Sequence, residues 1–280
     1  MDFGESTGLV SLLTDFGGRD HYVGTMKAVL LGSAPGVSIV DLGHEIPPGD
    51  VEAAAFSLLA AYPYFPAGTV HVVVVDPGVG SERRVIVVEA AEQRFVGPDN
   101  GVFSYLLDRE PNAVVREVTE RRFFRPTVST TFHGRDIFAP LGAALARGVN
   151  SATLGPPVAD PRRLPPLEPH LSGDRIRGRV LHVDRFGNCV TNLTEALLAD
   201  GAVRVHGRGG EIELREIRTT YAGAIPGAPF LIIGSSGFVE VSVNGASAAE
   251  ALGIRRSDPV EVVRRSSLEA TDGSKAGEQG

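Results

Sequence analysis

Two aspartates stand directly after short apolar runs of the kind that form buried strands. Asp15 follows the run Leu9 to Thr14, and Asp76 follows the valine-rich run Val70 to Val75. Ligands of open α/β sheets bind beyond the carboxyl ends of the strands, so parallel strands would bring both carboxylates to one edge. One aspartate in this position usually begins a turn or caps the next element. Two of them, with the loops that follow, predict a functional site.

The loop between Asp76 and Arg84 is rich in glycine and ends in two arginines, Arg83 and Arg84. It departs from the dinucleotide-binding fingerprint, because Arg83 stands where the third glycine belongs and a strand-like run follows. It also lacks the Gly-Lys-Ser/Thr of a P-loop. Gly78 and Gly80 therefore indicate a close approach of the backbone to a ligand, with an arginine near Asp76. The alternative is a β-turn whose arginines are solvated.

Among the 7 histidines, His133 lies in a polar, glycine-containing cluster, Thr131 to Asp136, just before a predicted helix. A histidine in such a loop can act as a general base or as a positioning donor. His71 stands at the start of the valine strand and is predicted to be structural. The Pro-Asp-Asn-Gly segment Pro98 to Gly101 is predicted to be a turn with an N-terminal helix cap.

Three polar turns in the C-terminal part are candidate ligand contacts. Asp184 to Asn188 lies between two predicted strands; a hairpin explains its glycine and asparagine but does not need both the acid and the aromatic residue. Gly234 to Gly237 offers two hydroxyls and free backbone donors, and Asn244 to Ala246 is the third turn.

The composition is that of an ordinary globular protein, with 42% hydrophobic and 22% charged residues in 280, enough for about two domains. The net charge of −7 does not favour binding to nucleic acid or to an anionic membrane, because both are negatively charged. The single cysteine, Cys189, excludes an intramolecular disulfide and a cysteine-rich zinc site. The acidic N-terminus does not resemble a secretory signal, and the longest apolar stretch, Ala53 to Tyr62, is about half of what crosses a bilayer. We therefore expect a cytoplasmic protein.

Strand and helix patterns alternate through residues 1–155, which predicts an α/β N-terminal domain with a largely parallel sheet. Because Val70 to Val75 has no polar face, it is predicted to be a central strand buried on both sides. Helices are predicted from Asp20 to Ala34, from a cap at Asp50, over Val102 to Leu107 and over Ile137 to Ala146.

The chain changes character after residue 155. The proline-rich segment 156–172 is predicted to be an extended linker, because proline cannot donate to a helix or a central ladder. Short strands punctuated by turns then predict a smaller all-β, barrel-like domain over 173–265. They are Ile176 to Val183, Cys189 to Leu193, Val203 to His206, Ile212 to Leu214, Phe230 to Ile233, Phe238 to Val243 and Val260 to Val263. The tail 266–280 is expected to be disordered.

Six motifs occur in an order that resembles the S-adenosyl-L-methionine (SAM) hydroxide adenosyltransferases, the SAM hydrolases related to the fluorinating and chlorinating enzymes. They are Leu13 to Gly17, Val75 to Gly80, Gly97 to Gly101, Phe132 to Asp136, Asp184 to Asn188 and Ser235 to Gly237. The resemblance covers about residues 8–265. It implies an α/β domain, a β-barrel domain and a homotrimer. In that family, SAM lies between the N-terminal domain of one subunit and the C-terminal domain of its neighbour.

The resemblance also implies roles for individual residues. Asp76, Arg83 and His133 match the family's water-handling triad. In the halide-using relatives a tyrosine stands at the position of Asp76, which favours water as the nucleophile here. The matching substrate contacts are Asp15 for the ribose hydroxyls, Asp184 and Ser235 for the methionine ammonium and carboxylate, Phe186 and Asn188 for the adenine, and the backbone around Asn244 and Ala246 beside it.

The expected reaction is hydrolysis of SAM to adenosine and L-methionine by in-line attack of an activated water on C5′, without a cofactor or metal. Two alternatives stay open. A non-catalytic SAM or adenosine sensor would keep the binding residues and could lack members of the triad. A metal-dependent phosphohydrolase would need ligands that here lack a compact spacing, namely Asp15, Asp20, His21, Asp76, Asp99 and His133.

Overall fold

The computed structural model describes residues 7–173, 175–198 and 201–263. The chain divides into two compact units, 1–165 and 166–280. The division therefore falls inside the proline-rich segment that the sequence predicts as a linker. The tail for which we expect disorder, 266–280, lies outside the described residues.

The N-terminal unit is built on one mixed sheet, whose strands are β1 (Leu9–Thr14), β2 (Ser38–Gly43), β3 (Val70–Val74), β4 (Val85–Ala90), β5 (Gln93–Pro98) and β6 (Val114–Glu117). They lie in the order β2-β1-β3-β5-β4-β6. Strands β2, β1, β3 and β5 run parallel to one another, as predicted. Every residue of β3 is buried, which confirms the central valine strand.

Strand β4 departs from the predicted parallel arrangement, because it runs antiparallel to both β5 and β6. The cause is the tight connection from β4 to β5. Ala91 and Glu92 have positive φ angles of 49° and 58°. Two successive positive φ values are those of a type I′ hairpin turn, which joins antiparallel strands and is too short for a parallel crossover.

Among the described residues, the α-helices beside this sheet are α1 (Tyr22–Ser33), α2 (Val51–Ala61), α3 (Ser104–Arg109) and α4 (Ala139–Ala146). A π-helical turn, Gly134–Phe138, leads into α4. The Asp50 carboxylate accepts a hydrogen bond from the Ala53 amide at 2.9 Å, so the predicted cap of α2 is confirmed. The cap predicted at Asp20 is wrong, because α1 begins at Tyr22 with His21 as its N-cap residue.

The core of this unit lies between the sheet and the helices α1 and α4. Val10, Leu12 and Val72 from the strands are fully buried with Met26 and Leu30 of α1. Phe138, Leu141 and Leu145 complete the same cluster from the π-helical turn and α4. Since this core holds the strands and α4 together, it also fixes the loops at the carboxyl ends of the strands.

The C-terminal unit is a curled, mostly antiparallel sheet, a half-barrel. Its strands are β7 (His170–Ser172), β8 (Arg175–Val183), β9 (Cys189–Thr194), β10 (Ala202–Gly207), β11 (Gly210–Leu214), β12 (Ile217–Arg218), β13 (Pro229–Ile233), β14 (Phe238–Val243) and β15 (Pro259–Val263). They lie in the order β11-β10-β15-β8-β9-β14-β13-β12, with β7 beside β8. Over the described residues the edge strands β11 and β12 do not pair with each other, so barrel-like curvature is present without a closing ladder. The described part of this unit also contains the short helices α5 (Glu195–Leu198) and α6 (Ala248–Leu252).

Within the described ranges, no helix combines the length and the apolar character needed to span a membrane.

His71 is held in a buried polar network at the centre of the sheet. Its Nδ1 lies 2.6 Å from Ser11 Oγ and its Nε2 lies 2.6 Å from Gln93 Oε1. The ring stacks on Phe95 with a centroid separation of 4.7 Å. Burial lowers the pKa of His71 to about 4, although the hydrogen bond to Gln93 acts in the opposite direction. The structural role predicted for His71 is consistent with these contacts.

His71 predicts a loss of stability in mild acid. Between about pH 6.5 and 4, the unfolded chain binds a proton at this position that the folded protein excludes, so stability falls as the pH falls. The difference amounts to about 3 kcal/mol over that window. Urea unfolding at pH 7 and pH 4.5 should show this loss in the native protein and a smaller loss in His71→Gln. The exposed-site variant His170→Gln is the control and should keep the full loss; an equal loss in all three proteins would contradict the prediction.

Candidate active site

The carboxyl ends of β1 and β3 bring Asp15 and Asp76 to the same edge of the sheet. The two strands are adjacent and parallel, and Thr14 pairs with Val74, so the chain leaves both strands at the same level. Both aspartates line a cavity of about 300 Å³. His133 lines the same cavity, so residues far apart in the sequence converge there. The common edge predicted from the two apolar runs is thus present.

Asp76, Arg83 and His133 are joined by direct hydrogen bonds. Arg83 Nε donates to both carboxylate oxygens of Asp76 at 2.9 Å, and Arg83 Nη2 also bonds Asp76 Oδ2. The same Nη2 donates to His133 Nδ1 at 2.7 Å. The side chains of Arg83 and Asp76 are only 7% and 4% exposed. The guanidinium also lies over the Phe138 ring, 5.3 Å from its centroid, so the core supports it from one side.

Arg84, the neighbour of Arg83, has different partners. Its Nε donates to Asp99 Oδ2 at 2.7 Å, and its Nη1 donates to Asp160 Oδ1 at 2.8 Å. Successive side chains at the start of a strand point to opposite faces, which separates the two arginines just before β4. Arg83 is therefore the arginine that contacts Asp76 and His133, and Arg84 holds the Asp99 turn at the end of β5.

A glycine lets the Asp76–Arg84 loop approach the segment that precedes His133. Gly80 has a φ of +80°, and a Cβ at this position would lie 2.3 Å from the Thr130 carbonyl oxygen. Any other residue would combine a disfavoured backbone conformation with a backbone clash. Gly80 thus allows the approach predicted for the loop glycines, although the surface approached is the chain itself.

His133 is placed by the π-helical turn and by a buried aspartate. It is the N-cap residue of the turn Gly134–Phe138. Asp136 is fully buried and accepts hydrogen bonds at 2.7 Å from Arg135 Nε and at 2.9 Å from the Ser129 amide. Burial opposes the charge of Asp136, but these hydrogen bonds lower its pKa overall. The anchored aspartate keeps the 129–136 segment against the site.

The hydrogen bond from Arg83 fixes the protonation of His133. A guanidinium can only donate, so His133 Nδ1 must accept and the proton of the neutral ring must lie on Nε2. Burial lowers the pKa of His133, the nearby charge of Arg83 lowers it further, and Asp76 and Asp136 raise it. The net shift is downward, so the ring is neutral at pH 7.

Three aromatic side chains that sequence reasoning did not select as ligand contacts also line the cavity: Phe16, Tyr22 and Phe132. For Tyr22, its position in the helix pattern could have indicated this role. It lies outside the buried stripe of α1, which consists of Val23, Met26 and Leu30, and it is 40% exposed. An aromatic residue that is off the core stripe and close to a polar motif indicates a ligand contact.

Asp15 is the remaining acid on the cavity wall. Its Oδ2 accepts a hydrogen bond from the Gly49 amide at 2.8 Å, which orients the carboxylate. Asp15 is placed by the end of strand β1, and its carboxylate is held by a backbone amide. Its position therefore depends mainly on the course of the backbone.

In the C-terminal unit, Asp184 stabilises its own turn. Its Oδ1 accepts from the Phe186 amide at 2.9 Å and from the Asn188 amide at 2.8 Å, and its Oδ2 accepts from Asn188 Nδ2 at 2.9 Å. These bonds explain the acid and the asparagine as turn residues. They do not explain Phe186, whose side chain is 78% exposed.

The other two polar turns lie at opposite ends of β14. Cys189 pairs with Val241, so the Asn244–Ala246 turn lies at the same end as the Asp184 turn. The Ala246 amide donates to the Val243 carbonyl at 3.3 Å, and Asn244 Nδ2 donates to the Ala224 carbonyl at 2.8 Å. Ser235 is exposed in the turn between β13 and β14.

Glu240 and Tyr221 are a further polar pair near Asp184 that sequence reasoning missed. Tyr221 Oη donates to Glu240 Oε2 at 2.9 Å, and Glu240 is buried. Burial raises the pKa of Glu240, and the negative charge of Asp184 raises it too. Glu240 alternates with apolar residues on β14, so the sequence pattern alone indicates only an ordinary strand position.

The described residues contain no group of three or more His, Cys, Asp or Glu side chains that could hold a metal ion. Two of the acids considered for such a group have other partners. Asp76 binds Arg83, and Asp99 binds Arg84 and the Arg162 amide. Both acids are therefore already paired with arginines in the structure.

An α/β unit with a carboxylate–guanidinium–imidazole site at its strand ends, followed by a curled β unit, defines the class of this protein. Two family models match the chain: the N-terminal domain of the SAM hydroxide adenosyltransferases over residues 10–155 and their C-terminal domain over residues 178–261. The chain belongs to the SAM hydroxide adenosyltransferase family.

Individual relatives agree with this assignment. The chain is 42% identical to the (R)-S-adenosyl-L-methionine hydrolase of Thermus thermophilus, over 91% of this chain and 99% of that protein. It is 25% identical to a fluorinase of Actinoplanes, over 86% of this chain and 92% of that protein. A crystal structure of an uncharacterized conserved protein from Thermotoga maritima superposes with a TM-score of 0.85 at 35% identity, covering 91% of this chain and all of that one.

Proposed function

We propose that this protein is an enzyme that hydrolyses SAM to adenosine and L-methionine. The observation that carries the proposal is the hydrogen-bonded chain Asp76–Arg83–His133, whose two end members line one cavity together with Asp15. The name of the Thermus relative specifies the R configuration at sulfur, so the R epimer of SAM is the expected substrate.

The reaction needs a nucleophile more than it needs an acid. The water oxygen forms a bond to C5′ while the C5′–S bond breaks. The electron pair of the C5′–S bond moves to sulfur. The sulfonium thereby becomes the neutral thioether of methionine, so no general acid is required. The water gives up one proton. Holding this water in line with the C5′–S bond is worth several kcal/mol.

The contacts of Arg83 and His133 suggest how the proton is handled. Arg83 Nε and Nη2 are engaged by Asp76 and His133, while Nη1 has no hydrogen-bond partner among the described residues. In the proposal, Nη1 donates to the water and favours hydroxide. Because His133 Nδ1 already accepts from Arg83 and its Nε2 carries a proton, the acceptor of the water proton is Asp76. His133 orients Arg83.

The substrate contacts in the proposal are those implied by the family. Asp15 holds the ribose hydroxyls. The C-terminal unit supplies the remaining contacts: Asp184 and Ser235 for the methionine ammonium and carboxylate, exposed Phe186 with Asn188 for the adenine, and the backbone of Asn244 and Ala246 beside it.

The proposal includes a homotrimer in which each SAM contacts two subunits, as the family resemblance implies. It includes no cofactor, with SAM as the substrate. The expected location is the cytoplasm, in keeping with a chain that has one cysteine. A sensor without activity is less favoured, because the three residues that bind no part of SAM are all present and bonded to one another.

The proposed reaction predicts two products without added metal. Purified protein incubated with a mixture of the S and R epimers of SAM should release adenosine and L-methionine in equal amounts and consume the R epimer preferentially. Chromatography of the products and NMR of the residual SAM measure both. A chelator should have no effect; activity that is abolished by the chelator and restored by a divalent ion would support the phosphohydrolase-type alternative.

Substitutions should separate substrate binding from chemistry. Asp15→Ala should weaken SAM and adenosine alike, by about 1.5–3 kcal/mol, the usual contribution of a hydrogen bond to a charged group. Asp76→Asn keeps the shape but removes the proton acceptor, so turnover should fall by about 10²–10⁴-fold while SAM still binds. Steady-state kinetics and calorimetry measure the two effects.

The matched control for these variants is Glu82→Gln, an exposed carboxylate in the same loop as Arg83. It should leave turnover and affinity unchanged. If Asp76→Asn weakens SAM binding but leaves turnover at saturating SAM intact, Asp76 is a binding residue and the proposed proton transfer is wrong.

The shared site predicts complementation between two inactive variants. Asp76→Ala removes a residue of the N-terminal unit and Asp184→Ala one of the C-terminal unit. After subunit exchange, some sites should carry neither defect, and adenosine release should recover. Each variant alone is the control. Lack of recovery in oligomers that are demonstrably mixed would indicate that each site lies within one chain.

A further inference from the structure

Three aromatic rings on the cavity wall are not used by the proposed water chemistry. We refer to Phe16, Tyr22 and Phe132 as the aromatic cluster. Phe16 lies 5.7 Å from Tyr22 and 5.9 Å from Phe132, and Tyr22 lies 5.2 Å from Phe132, all between ring centroids. The rings come from the loop after β1, the first turn of α1 and the loop before the π-helical turn. They share the cavity with Asp76.

Packing alone does not explain the cluster. Phe132 is buried, but Phe16 is half-buried and Tyr22 is 40% exposed, so these two rings present apolar surface to the cavity. The faces of aromatic rings attract cations. One ring of the cluster already has such a contact, because the Arg135 guanidinium lies over Phe132, 5.1 Å from its centroid.

The proposed substrate brings a cation, its sulfonium, to which the proposed function assigns no partner. This sulfonium is permanently charged and bears three carbon substituents, so it cannot donate a hydrogen bond. The carboxylate of Asp76 is paired with Arg83, and that of Asp15 is assigned to the ribose hydroxyls in the proposed function. Aromatic faces suit this cation, since they attract charge without requiring a hydrogen bond.

We propose that the aromatic cluster, chiefly through Tyr22 and Phe16, binds the sulfonium of SAM by cation–π contact and thereby selects SAM over its neutral thioether analogue. This inference rests on the proposed function for its ligand. Because the sulfur loses its charge as the C5′–S bond breaks, the rings stabilise bound SAM at least as much as the transition state. They therefore act in substrate binding and specificity, and removing one should raise KM without lowering kcat.

The test compares SAM with S-adenosylhomocysteine, which lacks one methyl group and the charge. The variant Tyr22→Leu removes the ring and Tyr22→Phe keeps it; Phe16→Leu is a second, independent removal. Calorimetry in the Asp76→Asn background gives Kd for both ligands without turnover, and adenosine release in the otherwise native protein gives kcat and KM. Tyr64→Leu is the matched control, because Tyr64 is 78% exposed and does not line this cavity.

We expect Tyr22→Leu and Phe16→Leu to raise Kd and KM for SAM about 3- to 10-fold, with kcat unchanged and Kd for S-adenosylhomocysteine altered less than about 2-fold. Tyr22→Phe and Tyr64→Leu should behave like the native protein. Equal losses for both ligands, no loss for either, or a fall in kcat at unchanged KM would overturn the inference. If the protein releases no adenosine but the ligand preference still depends on the rings, the hydrolysis is rejected and cation recognition is supported.

Discussion

The site depends on one guanidinium held between a carboxylate and an imidazole. Arg83 binds Asp76 through two nitrogens and His133 through one, with both charged side chains almost completely buried. Removing one partner of a buried pair leaves an uncompensated charge, which costs far more than the pair contributes. The fold must therefore bring Asp76, Arg83 and His133 together. Several features of the N-terminal unit serve to position these three side chains.

The direction of strand β4 positions Arg83 beside Asp76. The chain leaves β3 at the carboxyl edge of the sheet and enters β4 at the same edge, which is possible only because β4 is antiparallel to its neighbour β5. A parallel β4 would begin at the opposite edge. The I′ turn at Ala91 and Glu92 then returns the chain so that β5 again ends near the site. The departure from a parallel sheet is thus a condition for the contact between Arg83 and Asp76.

The surroundings of Arg83 and of the aromatic cluster follow one physical rule. Arg83 lies over Phe138, Arg135 lies over Phe132, and the proposed sulfonium lies against Tyr22 and Phe16. Aromatic faces can support a cation in a poorly hydrated place without adding a formal negative charge. In a reaction that converts a cation into a neutral product, a carboxylate beside the sulfur would oppose the loss of charge. Rings interact more weakly and oppose it less.

Local sequence patterns determined the secondary structure and several individual roles. The apolar run at β3 predicted a buried central strand, the acid at Asp50 predicted a helix cap, and Asp15 and Asp76 were placed at strand ends. Each of these depends on residues within a few positions of one another. The patterns also predicted seven of the nine strands that the described residues of the C-terminal unit form, where alternation and turn residues repeat at short intervals, but they missed the short strands β7 and β12.

Contacts between distant segments were decided by the tertiary structure alone. The local sequence does not distinguish Arg83 from Arg84. Their side chains point to opposite faces of the chain before β4, so Arg83 meets Asp76 and Arg84 meets Asp99 at the end of β5. The aromatic cluster unites residues 16, 22 and 132, and the Tyr221–Glu240 pair joins two separate elements of the C-terminal unit. Spacing along the chain carries information about neighbours within a helix or strand, whereas these contacts depend on how whole elements pack, and packing is set by the complete core.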